Sequence, residues 1–259
     1  MTLPEVRLTD PVGRDGAPLV VLGHSIGTGP LIWEQVLPVL AAEYRVSLLT
    51  LPGHGSAPVP ADPFTFAELA DAVADAIRDA SESHVRYAGV SIGGALALEL
   101  ALRHPDLFDG VAAIASAAQL GGADHWNERA ALVRDQSTSV LVGPSSRVWF
   151  GPNSVANQPD LSGRILHALQ DTPDEGYARC AEALGTFDVR DRLGEIRVPV
   201  LAMGGEYDTV GPEEAQDEIV AGVPHARKVM IADAAHQPPA EQPAAVAAEL
   251  LKFFAEVGR

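Results

Sequence analysis

Cysteine and lysine are almost absent from this chain. The single cysteine, Cys180, excludes an intrachain disulfide and a zinc cluster built from thiolates, and it is consistent with a reducing compartment. The only two lysines, Lys228 and Lys252, do not follow a glycine, so the chain has no phosphate-binding P-loop. The G-x-G-x-x-G and H-E-x-x-H patterns are also missing, and His54 has no partner at metal-ligand spacing. We therefore expect no metal and no cofactor, and a loop role for His54.

Basic residues are scarce as well, since 18 Lys and Arg stand against 35 Asp and Glu and the formal net charge is −17. A charge this negative repels nucleic acid and anionic lipid, so we expect neither as a partner. Residues 1–7 show no basic start followed by an apolar stretch, and no apolar run is long enough to span a bilayer. We expect a cytoplasmic protein that acts on a small molecule. The sequence also allows a homo-oligomer.

Apolar runs alternate with helical patterns in the first and last parts of the chain. Its 259 residues, 47% of them apolar, suffice for one α/β domain with an inserted segment. Strands are predicted at 18–22, 45–49, 85–90, 110–115, 198–203 and 228–232, and helices at 31–42, 67–80, 95–102, 212–221 and 243–255. Residues 6–9 are the only candidate for an N-terminal antiparallel strand, and Pro38 indicates a kink or a late start in the first helix. Thr65, with Glu68 three residues later, is predicted to cap the second helix.

This alternation predicts an α/β fold with right-handed crossovers, a mostly parallel central sheet and helices on both faces. The pattern breaks between residues 119 and 192, where short helical patterns occur without a clear strand. A segment of that length is too long for a simple loop. We therefore predict a core formed by residues 1–118 and 193–259, with residues 119–192 inserted as a helical cap.

Ser91 lies where an apolar run ends and a helical pattern begins, in the segment Gly89-Val90-Ser91-Ile92-Gly93. A G-x-S-x-G pattern between a strand and a helix is typical of a nucleophile elbow. The flanking glycines lack a Cβ, so the chain can bend sharply and present the hydroxyl at the tip of the turn. The pattern is short, and the alternative is a glycine-rich turn with a surface serine. The strand before it and the helix after it favour the elbow.

A serine hydroxyl needs an adjacent base, and in an elbow fold the acid and the histidine follow the serine in that order. Asp208 and His236 each come shortly after a predicted strand beyond the cap. Catalytic residues in parallel sheets gather at the carboxyl ends of strands, so the three side chains are predicted to meet. Glu206 and Asp233 are rival acids, but Asp208 is favoured because several turn residues are needed to bring the acid beneath the histidine.

The predicted reaction is acyl transfer through Ser91. His236 removes the hydroxyl proton, and Asp208 orients the imidazole and stabilises its protonated form. Two backbone N–H groups must bind the oxyanion: that of Ile92, directly after the nucleophile, and that of Ile26, in the loop after the first clear strand. Water then hydrolyses the acyl-enzyme.

Together these motifs resemble the α/β-hydrolase superfamily and, within it, the 3-oxoadipate enol-lactonases. The elbow and Gly53-His54-Gly55 are shared across the superfamily. More specific similarities, spread over nearly the whole chain, are 25–28 with Trp33, 126–129 with 133–134, 149–150, 176–177 with 180–181, 188–191, and 235–236 with 241–243. The resemblance implies the triad Ser91, Asp208 and His236. It also implies cofactor-free hydrolysis of an enol-lactone to 3-oxoadipate in aromatic catabolism.

The chain departs from that family at three places. His24 stands where relatives usually have asparagine, Thr50-Leu51-Pro52 replaces a charged D-x-R segment, and the N-terminal strand region is short. An enol-lactone with a free carboxylate needs a local cation despite the net charge. The predicted substrate-binding residues are Trp126, Arg129, Arg134 and Trp149 in the cap, with Arg147 as a further candidate cation. Each arginine has the alternative of a solvated surface residue.

Two other functions remain open at this point. The chain could be an esterase or lactonase for a different small substrate. It could also be a hydrolase-like binding protein that no longer turns substrate over. The intact Ser-Asp-His order argues against the binding protein.

Overall fold

The computed structural model describes residues 3–80 and 84–258. Residues 1, 2, 81–83 and 259 of the predicted core lie outside this description. Eight strands of the described chain form the central sheet: β1 Arg7–Leu8, β2 Val12–Gly13, β3 Leu19–Gly23, β4 Arg45–Thr50, β5 Val85–Val90, β6 Phe108–Ile114, β7 Val200–Gly205 and β8 Ala226–Ile231.

The strand order is β1-β4-β3-β5-β6-β7-β8, and β2 also pairs with β4. The strands β4, β3, β5, β6, β7 and β8 are all parallel to their neighbours in the sheet. In contrast, β1 and β2 run antiparallel to β4. Every residue of β3, β5 and β7 is buried, which explains why these strands, apart from Arg86 on β5, lack polar residues in alternation. The predicted α/β architecture with a mostly parallel sheet is therefore confirmed.

The described part of the chain also contains eleven α-helices. Their bounds are α1 Leu37–Ala41, α2 Phe66–Asp79, α3 Ile92–Arg103, α4 Gly122–Gln136, α5 Val142–Val148, α6 Ser154–Asn157, α7 Pro159–Asp171, α8 Asp174–Gly185, α9 Glu213–Gly222, α10 Pro238–Glu241 and α11 Pro243–Val257. Helices α4 to α8 lie between β6 and β7, and we use the name cap for residues 119–192. The predicted cap of α2 is confirmed, because Thr65 and Glu68 form a reciprocal capping box.

Two predictions about the first fifty residues differ in detail from the structure. The helix predicted over 31–42 is shorter: a 3-10 turn at Pro30–Trp33 precedes α1, which begins only at Leu37 with Pro38 in its first turn, the late start that Pro38 indicated. Proline is tolerated there because the N–H it lacks would have no helical partner. The N-terminus contributes two antiparallel strands rather than one, each of two residues, since β1 pairs with 49–50 and β2 with 45–46.

Candidate active site

Ser91 lies between the end of β5 and the start of α3, with φ 58° and ψ −116°. This is a strained conformation for a residue with a side chain, and such strain is found at functional sites. The turn is held by a hydrogen bond of 2.8 Å from the Ser91 N–H to the Ile114 carbonyl on β6. A Cβ on Gly89 would clash with the backbone of Gly93, so the elbow requires glycine where the chain doubles back.

Asp208 and His236 form a buried pair at the ends of β7 and β8. The Nδ1 atom of His236 lies 3.0 and 3.1 Å from the two carboxylate oxygens of Asp208. The amides of Val210 and Gly211 donate to Oδ1 of Asp208 at 2.8 and 3.1 Å. Burial by itself would raise the pKa of Asp208, but the imidazole and these two amides together lower it below its ordinary value. An ionised Asp208 accepts a hydrogen bond from the Nδ1–H group of His236. This bond keeps the proton of the neutral ring on Nδ1 and leaves Nε2 unprotonated.

The peptide bond between Ser25 and Ile26 is fixed on its carbonyl side. The Ser25 carbonyl accepts hydrogen bonds from the Thr28 N–H at 3.1 Å, the Thr28 hydroxyl at 2.7 Å and Nδ1 of His24 at 2.8 Å. In a trans peptide the N–H points opposite to the carbonyl, so the Ile26 N–H is directed away from these donors. The N–H groups of Ile26 and Ile92 donate to no other residue within 3–80 and 84–258, and both remain available for an oxyanion.

The side chains of His24 and His54 form hydrogen bonds to the backbone of residues 25–28, the loop that carries Ile26. The Gly27 N–H donates to Nε2 of His54 at 2.9 Å, and the Leu51 N–H donates to Nε2 of His24 at 3.1 Å. The two rings are wholly buried, with centroids 5.3 Å apart. Burial lowers the pKa of His24 to about 3, with His54 adding repulsion, and lowers the pKa of His54 to about 4. Both histidines are therefore neutral structural residues, and no metal-binding cluster of His, Cys, Asp or Glu occurs in the described chain.

Acid is expected to destabilise the fold through these two histidines. Both pKa values lie below the ordinary 6.5 in the folded state, so below that pH the unfolded chain binds more protons. Their contribution is intact above pH 6.5 and is lost as the pH falls toward about 4, by about 1.4 kcal/mol per pH unit for each histidine. Urea unfolding at pH 7, 6 and 5 measures this slope. The substitution His24→Asn should flatten it, and an unchanged slope would contradict the assignment.

A cavity of 380 Å³ opens between the sheet edge and the cap. Ser25, Ile26, Ser91 and His236 line its core side, so the structure brings the predicted nucleophile, base and oxyanion loop to one space. No hydrogen bond joins the Ser91 hydroxyl to His236 among the described residues. In unliganded hydrolases this contact is often long and tightens when substrate binds.

The cap side of the cavity includes three of the four predicted substrate-binding residues. Trp126, Arg129 and Trp149 line it, together with Tyr177. The Arg129 guanidinium carbon lies 5.6 Å from the centre of the Trp126 ring, a cation–π contact that favours this position for the charge.

Arg134 is not among the residues that line the cavity, contrary to its prediction as a substrate-binding residue. Its guanidinium binds Glu175 at 2.7 Å and also pairs with Glu182. Arg134 comes five positions after Arg129 on α4. At 3.6 residues per turn, its side chain therefore points about 140° away from that of Arg129 around the helix axis. Arg147 is exposed on α5 and does not line the cavity either.

Sequence reasoning missed the roles of four residues at the site. It did not anticipate the hydrogen bonds of His24 and His54 to the loop that carries Ile26. It also assigned no role to Ser25, whose hydroxyl is buried, lines the cavity and has no hydrogen-bond partner in the described part of the chain. The fourth is Glu241, whose carboxylate contacts the backbone beside His236. The segments 25–28, 53–55 and 241–243 were recognised as motifs, but a motif does not show which distant segment its side chains contact.

The chain matches a known family. The family model for the α/β hydrolase fold matches residues 18–243, so the chain belongs to the α/β-hydrolase fold family. The predicted resemblance to that superfamily is thereby confirmed. No helix of the described residues is long and apolar enough to cross a membrane.

The relatives that match this chain include a lactonase and an esterase. A 3-oxoadipate enol-lactonase of Acinetobacter baylyi is 29% identical over 233 residues, 90% of this chain and 87% of the relative. A pimeloyl-(acyl-carrier protein) methyl ester esterase of Neisseria meningitidis is 32% identical over 239 residues, 86% of this chain and 88% of the relative. The crystal structure of an enol-lactonase from Burkholderia xenovorans superposes with a TM-score of 0.92 at 27% identity, covering 96% of both chains. These similarities support an ester hydrolase.

Proposed function

We propose that the protein is a serine hydrolase that opens a small lactone or cleaves a small ester bearing a negative charge. An enol-lactone of the 3-oxoadipate type is the best candidate substrate. The observation that carries this proposal is the shared cavity: the elbow serine, a carboxylate-paired histidine, Ile26 with its unpaired N–H group and one arginine all border the same space.

In the proposed mechanism the Ser91 oxygen attacks the acyl carbon while Nε2 of His236 accepts the hydroxyl proton. Asp208 keeps the proton on Nδ1 and stabilises the imidazolium that forms. The Ile26 and Ile92 N–H groups bind the oxyanion, and losing one such donor costs about 3 kcal/mol of barrier lowering. The tetrahedral adduct then collapses and the imidazolium protonates the leaving oxygen. In a lactone that oxygen stays tethered to the acyl group. A water deprotonated by His236 next attacks the acyl-enzyme and frees Ser91.

Charge in the cavity favours an anionic substrate. Arg129 is the only lysine or arginine among the lining residues, and no described Asp or Glu shares that lining. Arg129 also forms no salt bridge with a carboxylate of the described residues, in contrast to Arg134 and Arg179 of the same cap. An arginine left without a protein carboxylate in a mostly apolar cavity suits a substrate carboxylate, which it can bind through two hydrogen bonds.

Replacing Arg129 with glutamine is expected to raise KM for the enol-lactone by about 10- to 100-fold, because a charge-assisted hydrogen bond contributes about 1.5–3 kcal/mol. KM for neutral p-nitrophenyl acetate should change less than about twofold. Steady-state assays of both substrates make this comparison. Arg147→Gln is the matched control, since it removes the same charge from the cap outside the cavity. Equal effects of the two substitutions on the enol-lactone would contradict an anion-binding role for Arg129.

A first assay separates turnover from binding alone. The purified protein is offered p-nitrophenyl acetate and a serine-directed phosphonate, and we expect an acyl burst and a phosphonate adduct on Ser91. Absence of both would favour a hydrolase-like binding protein. Turnover of the enol-lactone is then compared with simple lactones and methyl esters, the latter because one relative is a methyl ester esterase. Higher kcat/KM for a neutral ester than for the enol-lactone would reject the substrate while retaining the reaction class.

A further inference from the structure

The Glu241 carboxylate receives four hydrogen bonds inside the protein. Glu241 ends the four-residue α10, only five positions after His236, and it is 6% exposed. Its Oε1 accepts the Ala235 N–H at 2.8 Å and the Gln237 N–H at 3.0 Å. Its Oε2 accepts the Gly151 N–H and the Ser154 hydroxyl, both at 2.6 Å. One side chain therefore joins two parts of the molecule that are more than eighty residues apart in sequence.

The Oε1 contacts act on the histidine. Ala235 and Gln237 are the residues on either side of His236. Holding their N–H groups fixes the 234–235 peptide plane, one residue before the histidine, and the 236–237 plane directly after it. The chain just before them includes Asp233, which has a positive φ of 56° and therefore depends on its surroundings for its conformation. The Ala234 carbonyl is held in turn by the Tyr207 N–H at 2.8 Å, in the turn that carries Asp208.

The Oε2 contacts act on the cap. Gly151 comes two residues after Trp149, a wall of the cavity, and Ser154 begins α6. Neither Gly151 nor Ser154 lines the cavity itself. The two hydrogen bonds therefore attach the cap backbone beside the substrate space to the carboxylate that holds the histidine loop.

Burying a carboxylate costs free energy that burying an apolar side chain does not, so packing alone does not explain Glu241. Burial raises the pKa of Glu241 above its ordinary value, and the four donors only partly oppose this. Glutamine has nearly the same shape but a single acceptor oxygen. Whichever way its amide faces, it turns an NH2 group toward either the two N–H groups beside His236 or the Gly151 N–H. Only a group with two acceptor oxygens satisfies both sides, which indicates that the double contact is the role of this residue.

We propose that Glu241 is a positioning residue that couples the seating of the cap to the placement of His236 against Ser91. This inference rests on the proposed function, because it assigns Glu241 a part in the Ser91 reaction. A catalytic group must stay within about 0.5 Å of its productive position, and a displacement of about 1 Å can cost about 100-fold in rate. Loss of the Glu241 contacts is therefore expected to lower the reactivity of Ser91 rather than the affinity of the cavity.

The test uses the full-length protein and measures the rate at which a serine-directed phosphonate modifies Ser91, together with kcat and KM for p-nitrophenyl acetate. For Glu241→Gln we expect both the phosphonylation rate and kcat to fall about 10- to 100-fold, with KM within about twofold. Glu249→Gln is the matched control. It removes an equal charge from α11, where Glu249 pairs with Arg227 near the surface, and should leave all three values unchanged.

Ser154→Ala separates coupling from simple loss of stability. It removes one hydrogen bond on the cap side and leaves both contacts beside His236 intact. If the cap acts on His236 through Glu241, the phosphonylation rate should still fall, by about 3- to 10-fold. In the double variant the two effects should be less than multiplicative, since both act through the same carboxylate. If Glu241→Gln does not fold, the Ser154→Ala rate alone decides.

Two results would overturn the inference. One is Glu241→Gln with an unchanged melting temperature and a Ser91 phosphonylation rate within twofold of the parent. The other is Ser154→Ala with the parent rate. Failure of the proposed function looks different, because the parent protein itself would then not react with the phosphonate or hydrolyse the ester.

Discussion

Replacing Ser91 with alanine is expected to lower kcat/KM by about 10⁴- to 10⁶-fold for any ester or lactone that the protein hydrolyses. The substitution removes the oxygen that is proposed to form the acyl-enzyme. It leaves in place the Ile26 and Ile92 N–H groups that are proposed to bind the oxyanion, so a small residual rate above that in water should remain. Alanine also tolerates the elbow no worse than serine does, because both carry a Cβ at φ 58°. The melting temperature should therefore stay within a few degrees of that of the parent.

The measurement combines initial rates with intact-protein mass after phosphonate treatment. The parent should gain one adduct and Ser91→Ala none. Ser146→Ala serves as the control, because that hydroxyl bonds the Gly143 carbonyl at 2.8 Å in the cap and does not line the cavity. Activity retained in Ser91→Ala, or an adduct on another side chain, would place the nucleophile elsewhere.

Replacing Asp208 with asparagine is expected to lower kcat by about 10³- to 10⁴-fold with little change in KM. The Val210 and Gly211 N–H groups donate to Oδ1, so the asparagine oxygen should remain facing them. Its NH2 group then faces Nδ1 of His236, which must become an acceptor. The ring proton should then move to Nε2, the atom proposed to accept the Ser91 proton, so we expect the wrong tautomer to remove the base.

The control for this charge is Asp233→Asn. Asp233 was one of the two rival acids in the sequence, with Glu206, and it has φ 56°, a conformation that asparagine adopts readily. Its replacement should change kcat by less than about threefold. The assignment of the acid would be reversed if Asp233→Asn proved the more damaging of the two substitutions in steady-state kinetics.

Features encoded by neighbouring residues were predictable from the sequence. The capping box at Thr65 depends on a spacing of three residues, and the buried strand before Ser91 is recognised from a run that is apolar except for Arg86. The first helix was extended too far because residues 31–42 have a helical apolar pattern that the structure divides into a 3-10 turn and α1. The second N-terminal strand has no internal pattern at all, since two residues become a strand only by pairing with β4.

The cap arginines show the same limit within the site. Arg129 and Arg134 belong to one helix, and the sequence alone gives no reason to assign them different roles. Only the packing of α4 against α8 distinguishes them, because it places Glu175 and Glu182 beside Arg134 and leaves Arg129 at the cavity.

The amino-acid order by itself determined the parallel sheet, the elbow at Ser91 and which acid and histidine to consider, because each is expressed over a few consecutive residues or in their order along the chain. The tertiary structure alone decided that the rings of His24 and His54 hold the oxyanion loop, and that one carboxylate at position 241 bonds both the cap and the histidine loop. Hydrogen bonds of this kind require two atoms within about 3 Å, and no sequence pattern measures the distance between segments that only folding brings together.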